Sequence, residues 1–167
     1  MQALIPQPQF STAQFDFPAL LDGSSGGNRA IGIRPQIEAQ DDVSAMQSWL
    51  MRFVDSPRTF SNYRKEVERI WHWSTQELKK PLSSLNHEDM MRYRAFMARP
   101  SAPWVNPIKL PRKHKDWRPF AGPLTPASIR QAEIVINALF SWLVEAGYLA
   151  GNPLSLSRRK KLQAAKH

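Results

Sequence analysis

A chain of 167 residues with 42% hydrophobic side chains is long enough for one domain with a real core and is not compositionally disordered. It has no cysteine, which excludes disulfides, thiol catalysis and thiolate metal sites together. Lys and Arg number 23 against 14 Asp and Glu, a formal net charge of +9 whose long-range field favours a polyanionic partner.

No run of about 18 apolar residues offers a membrane span, and the first ten residues lack the basic start and apolar core of a signal peptide. The expectation is a cytoplasmic protein without a membrane partner. Residues 1–40 are rich in Gln, Pro, Gly and Ser and show no sustained period, so they read as a flexible or loosely docked extension. Phe10, Phe15, Phe17, Leu20 and Leu21 are its candidate anchors, and residues 31–37 are a candidate extended piece.

A first helix is predicted from Asp41 or Asp42, either of which offers an N-cap, to about Val54. Val43, Met46, Trp49, Leu50 and Phe53 form its buried face. Asp55-Ser56-Pro57 breaks it, and Ser56 with Pro57 forms an N-cap and N1 pair for a second helix reaching Gln76 to Leu78. At 100° per residue, Phe60, Tyr63, Val67, Ile70 and Trp71 make one apolar stripe. The opposite face gathers Arg58, Ser61, Asn62, Lys65, Arg69, His72 and Gln76, with Glu66 and Glu68 toward its flanks. Cations that meet phosphates, and Arg, Asn or Gln that can read base edges, suit the major groove of DNA. Taken alone, a solvated helix surface is the commoner meaning of such a face.

Lys80-Pro81 closes that segment. A third helix is capped by Ser84 or Asn86, carries Glu88 and Asp89 in its first turn, presents Met90, Tyr93, Phe96 and Met97 to the core, and stops at Pro100. From about 99 to 123, prolines exclude regular helix, while Lys109, Arg112, Lys113, Lys115 and Arg118 alternate with Trp104, Trp117 and Phe120. The cations suit phosphate contact, and Trp117 and Phe120 suit pinning the loop to the bundle. Thr125-Pro126 opens the most apolar helix, whose exposed strip carries Arg130, Asn137 and Ser141 beside Gln131 and which Gly147 stops. Arg158, Arg159, Lys160, Lys161 and Lys166 form a basic tail. The fold class is therefore all-α: a four-helix domain over residues 41–155 with a Pro-rich basic insertion, an extension at 1–40 and a linker or tail at 156–167.

The order of these signals is similar to a known family. Ser56, Thr59, Tyr63 and Arg64, then Trp71 and Trp73, then Leu85-Asn86-His87-Glu88-Asp89, then Leu124-Thr125-Pro126-Ala127-Ser128-Ile129 and Leu139-Phe140-Ser141-Trp142-Leu143-Val144, then Gly147-Tyr148-Leu149 and Asn152-Pro153, resemble the N-terminal core-binding domain of tyrosine recombinases, the phage integrase family. The resemblance covers about residues 41–154 without the insertion. It implies a SAM-like four-helix bundle that lies on duplex DNA at a recombination half-site, with its second and fourth helices at the major groove. It points to Arg58, Ser61, Asn62, Lys65 and Arg69, and to Ser128, Arg130 and Gln131. The partners it implies are double-stranded DNA and a separate C-terminal catalytic domain, with a monomer in isolation and an oligomer on DNA.

The family's catalytic Arg, Lys, His-x-x-Arg and nucleophilic Tyr have no counterpart here, because no His has an Arg three residues on. The expectation is a fragment or truncated form that binds DNA and is not an enzyme, with no catalytic residue, cofactor or metal. No His pair stands at metal-ligand spacing and no phosphate-binding glycine motif occurs. The rival readings are a stand-alone helical DNA-binding regulator, against which no helix-turn-helix spacing is found, and a protein-interaction bundle whose basic face serves solubility. RNA binding ranks lower, for want of an exposed aromatic platform.

Overall fold

The computed structural model describes residues 21–157. Its long elements are four α-helices: α1 (Asp42–Leu50), α2 (Pro57–His72), α3 (His87–Ala98) and α4 (Pro126–Glu145). Strand pairing among the described residues is confined to two isolated bridges, Arg29 with Leu149 and Val105 with Phe120. No described helix is long and apolar enough to cross a membrane.

Of the two candidate caps of α1, Asp41 takes the role: its carboxylate accepts the Ser44 N–H at 2.8 Å. Asp42 is buried instead. Trp49 of α1 stacks on Tyr63 of α2 at 5.4 Å between centroids, and Phe53 meets the same ring edge-on at 4.8 Å. These pairs join two helices separated by a tight turn. Ser56 stands at the cap position of α2, but its side chain makes no capping bond and Pro57 alone fits the expected pair. The helix ends in a wide π turn, Trp73–Glu77. Asn86 and Asp89 then form a reciprocal capping box at the start of α3. Asp89 also receives Lys80 Nζ at 2.7 Å and Arg92 Nη1 at 2.9 Å. Asp89 therefore has two basic partners, Arg92 at helical spacing and Lys80, which arrives from the preceding turn.

Thr125 caps α4 through the Ser128 N–H at 3.1 Å. Ile129, Ala132, Val135, Ile136, Leu139, Phe140 and Leu143 are buried along it, and it packs against each of the other three helices. Gly147 ends it at φ 78°, a conformation that costs glycine little. Asn137 and Ser141 of the expected exposed strip are instead bonded by Asn152 Nδ2 at 2.8 and 3.1 Å, and so hold the returning chain.

The extension is docked over its described part. Asn28 N–H donates to the Ser83 carbonyl at 2.7 Å, its side chain exchanges two bonds with the Gly151 backbone, and Ala30 N–H donates to the Tyr148 carbonyl. The Arg29 guanidinium lies 4.0 Å over the Tyr148 ring and donates to the carbonyls of Gly23 and Gln40. Beneath it, Asp42 accepts the Tyr148 hydroxyl at 2.5 Å and the Ser83 N–H at 3.0 Å. Ile31 and Ile33 are exposed, and the 31–37 stretch is held by the Gln36 N–H bond to the Ala146 carbonyl at 2.7 Å and by Ile37, which packs half-buried against the core. The anchors Phe10, Phe15, Phe17 and Leu20, and the basic tail from Arg158 onward, lie outside the described residues.

Candidate nucleic-acid interface

On α2 the sequence places two carboxylates near the polar face, and the fold buries both of them, Glu66 and Glu68. What α2 shows to solvent is therefore Arg58, Ser61 and Lys65, with Asn62 and Arg64 half-buried beside them. Lys65 keeps 49% of its side chain exposed and stands 3.8 Å from a Glu66 oxygen.

The second half of the same face is covered by the insertion. Arg69 Nε donates to the Pro119 carbonyl at 2.7 Å, its guanidinium lies 4.7 Å from the Phe120 ring centroid, and only 12% of its side chain is exposed. The expectation that Lys65 and Arg69 both face outward holds for Lys65 alone. His72 is fully buried, shares its Nδ1 with Gln76 Nε2 at 3.2 Å, and has no partner for Nε2 among the described residues. Burial, with the Arg112 charge adding to it, pushes His72 down to about 3, so it is a neutral interior group and not a cation for phosphate. Period alone could not reveal the cover over Arg69, because Pro119 lies 50 residues downstream.

The insertion has an ordered core of its own. Phe120 and Trp104 are buried, and both meet Phe96 of α3 edge-on, at 5.8 and 5.5 Å. Asn106 N–H donates to the Phe120 carbonyl and Phe120 N–H to the Trp104 carbonyl, closing the loop on itself. Phe120 is thus a pin, as expected, and Trp104 is the second; Trp117 is only half-buried. Arg112 Nε donates to Glu68 Oε2 at 3.2 Å, and Arg112 Nη2 bonds the other Glu68 oxygen. Arg64 Nε stands 3.6 Å from that second oxygen. Burial raises Glu68 to about 7 against the opposing pull of Arg112 and Arg64. Burial, then the nearby Arg112, draws the Arg64 guanidinium below its usual value. Cation is crowded on cation here.

Between α2 and the insertion lies a cleft of about 840 Å³. Arg58, Ser61, Asn62, Arg64, Lys65 and Arg69 line it from α2, and Lys109, Arg112, Trp117 and Arg118 from the insertion. Glu68 is the one carboxylate in that lining. Of the expected phosphate-contact and base-reading residues the cleft gathers Arg58, Ser61, Asn62, Lys65, Arg69, Lys109, Arg112 and Arg118, while Arg64 is an addition. Arg64 was missed because its helical angle falls between the polar face and the apolar stripe. Arg118 Nη1 donates to the carbonyls of Lys115 and Trp117, which stiffens the rim. Lys113 and Lys115 are exposed but outside the lining, as are Ser128, Arg130 and Gln131 at the start of α4. Among the described residues no three His, Asp or Glu side chains gather to hold a metal ion.

Fold and site together define an all-helical domain whose basic cleft is built from one helix and a folded proline-rich loop. No family model, no curated protein and no solved structure matches this chain.

Proposed function

We propose that this chain binds double-stranded DNA, as a non-catalytic module of the kind that the SAM-like core-binding domain of tyrosine recombinases provides at a recombination site. The first half of α2 supplies Arg58, Ser61, Asn62 and Lys65. The insertion adds Arg112, Lys113, Lys115 and Arg118, and the start of α4 adds Ser128, Arg130 and Gln131. A partner catalytic domain would perform strand chemistry, and the module would be monomeric alone and assembled on its site. Arg69 and His72 enter only as supports of the surface.

One observation carries the reading: α2 hides its two carboxylates and leaves cations and amides outward. A helix face kept only for solubility gains nothing from removing its acids, since mixed signs solvate as well. A polyanion gains a face with no repelling charge, and phosphate contacts release counterions. The net charge of +9 and the order of family-like motifs point the same way.

Fluorescence anisotropy with duplex DNA across a salt series tests it. Log affinity is expected to fall linearly with log salt, by about 0.9 per phosphate neutralised. Arg58→Ala and Lys65→Ala should each flatten that slope by about 1 while leaving the thermal midpoint in place, since both side chains are exposed. Duplex affinity that is absent, or indifferent to salt and to these substitutions, overturns the reading.

A further inference from the structure

The cleft between α2 and the insertion includes the front of α2, with Arg58, Ser61, Asn62 and Lys65, and adds a far wall made from the insertion. At about 840 Å³ it lies in the roughly 300–1,000 Å³ range of single-ligand clefts, room enough for one unpaired nucleotide. One wall is cationic and amide-bearing, with Arg58, Asn62, Arg64 and Lys65. The other carries apolar surface, with Ile108, 68% exposed, Leu110 and Trp117, among the cations Lys109, Arg112 and Arg118.

Trp117 differs from the other rings of its loop. Trp104 and Phe120 are spent on Phe96, whereas Trp117 stays half-buried, lines the cleft and stacks on no aromatic ring among the described residues. Its place is fixed by backbone: Trp117 N–H donates to the His114 carbonyl at 3.0 Å and Trp117 O accepts from Arg118 Nη1 at 2.8 Å. An indole held in the same cleft as guanidinium and ammonium groups is what unpaired nucleotides use, with phosphate on the cations and base on the ring.

We infer that this cleft seats an unpaired nucleotide of a DNA strand, with its phosphate on Arg64 and Lys65 and its base against Trp117. The inference rests on the DNA-binding reading for the identity of the polymer, and it adds the state of the strand: the chain prefers duplex that opens, ends or carries a gap beside α2.

The test compares a blunt duplex, the same duplex with a short single-stranded overhang, and the single strand alone, by anisotropy on the full chain. The overhang is expected to raise affinity about tenfold over the blunt duplex. Trp117→Ala should erase that difference while blunt-duplex affinity stays in place, and Trp117→Phe should restore most of it. Equal affinity for blunt and overhang DNA overturns the seat and leaves the duplex reading standing. Tight binding of overhang and single strand without blunt-duplex binding overturns the duplex reading and supports the seat. If Trp117→Ala weakens all probes alike, its ring serves only the folding of the loop and the inference falls. A mononucleotide that displaces the overhang at equal concentration overturns the strand in favour of a free nucleotide.

Discussion

Glu68 has 3% of its side chain exposed and is met by Arg112 and Arg64, yet burial still raises its carboxyl to about 7 from an ordinary 4.5. The folded protein therefore holds that proton more tightly than the unfolded chain does. The stability it contributes is complete below about 4.5 and lost as pH rises through about 7. Asp42, raised by burial to about 6, acts in the same direction over a lower window. His72 works against them: held down at about 3 against 6.5, it contributes above 6.5 and loses that contribution as pH falls through 3. Urea midpoints should consequently rise as pH falls from about 8 to about 4.5, because two carboxyls outweigh one imidazole, and then level off. Glu68→Gln should flatten the upper limb of that curve, and an unchanged limb would show that the carboxyl titrates in its ordinary range.

At the level of elements, the helices were legible because each is set by a local pattern. Asn86 with Asp89, Thr125 with Pro126 and the apolar positions of α4 specify starts and faces within a few residues of themselves. The front of α2 was half legible. Arg58, Ser61 and Lys65 are exposed as the helical angle predicts, but Arg69 shares that angle and lies under chain from the 99–123 stretch, and His72 shares it and is fully buried. Cover of that kind comes from Trp104 and Phe120 meeting Phe96, a long-range event that no local period encodes. Arg69→Ala should cost about 2 kcal/mol, since it removes a charge-assisted bond to the Pro119 carbonyl and a cation lying over Phe120. It should also hasten protease cleavage between residues 105 and 118. Lys65→Ala should stay within about 0.5 kcal/mol of the parent, because its side chain is half in solvent. Equal stability and equal protease resistance in the two variants would remove Arg69 from its role as the fastener of the loop.

Over the whole molecule, α4 touches α1, α2 and α3, and the chain on either side of the bundle is tied to one end of it. The four-helix plan was legible from apolar pattern and punctuation. The docking of residues 21–40 was not, because Asn28, Arg29 and Gly23 act through backbone carbonyls and a neighbouring carboxylate and leave no periodic trace. The cleft was legible in most of its cations and not in its shape, since Lys109, Arg112 and Trp117 become neighbours of α2 only when the loop folds.

The seam of Asn28 and Ala30 against Tyr148, Ala150 and Gly151 behaves like a zipper with one pull. Its amides cannot be released singly without stranding the Asn28 side chain, so Asn28, Ala30, Ala150 and Gly151 should take up deuterium from solvent at one shared rate. Gly23 sets that rate from a distance, because a methyl group there would sit 2.1 Å from the Asp42 carboxylate on a backbone of φ 83°. Gly23→Ala is expected to speed deuteration at all four positions together while the amides in the middle of α4 keep their pace.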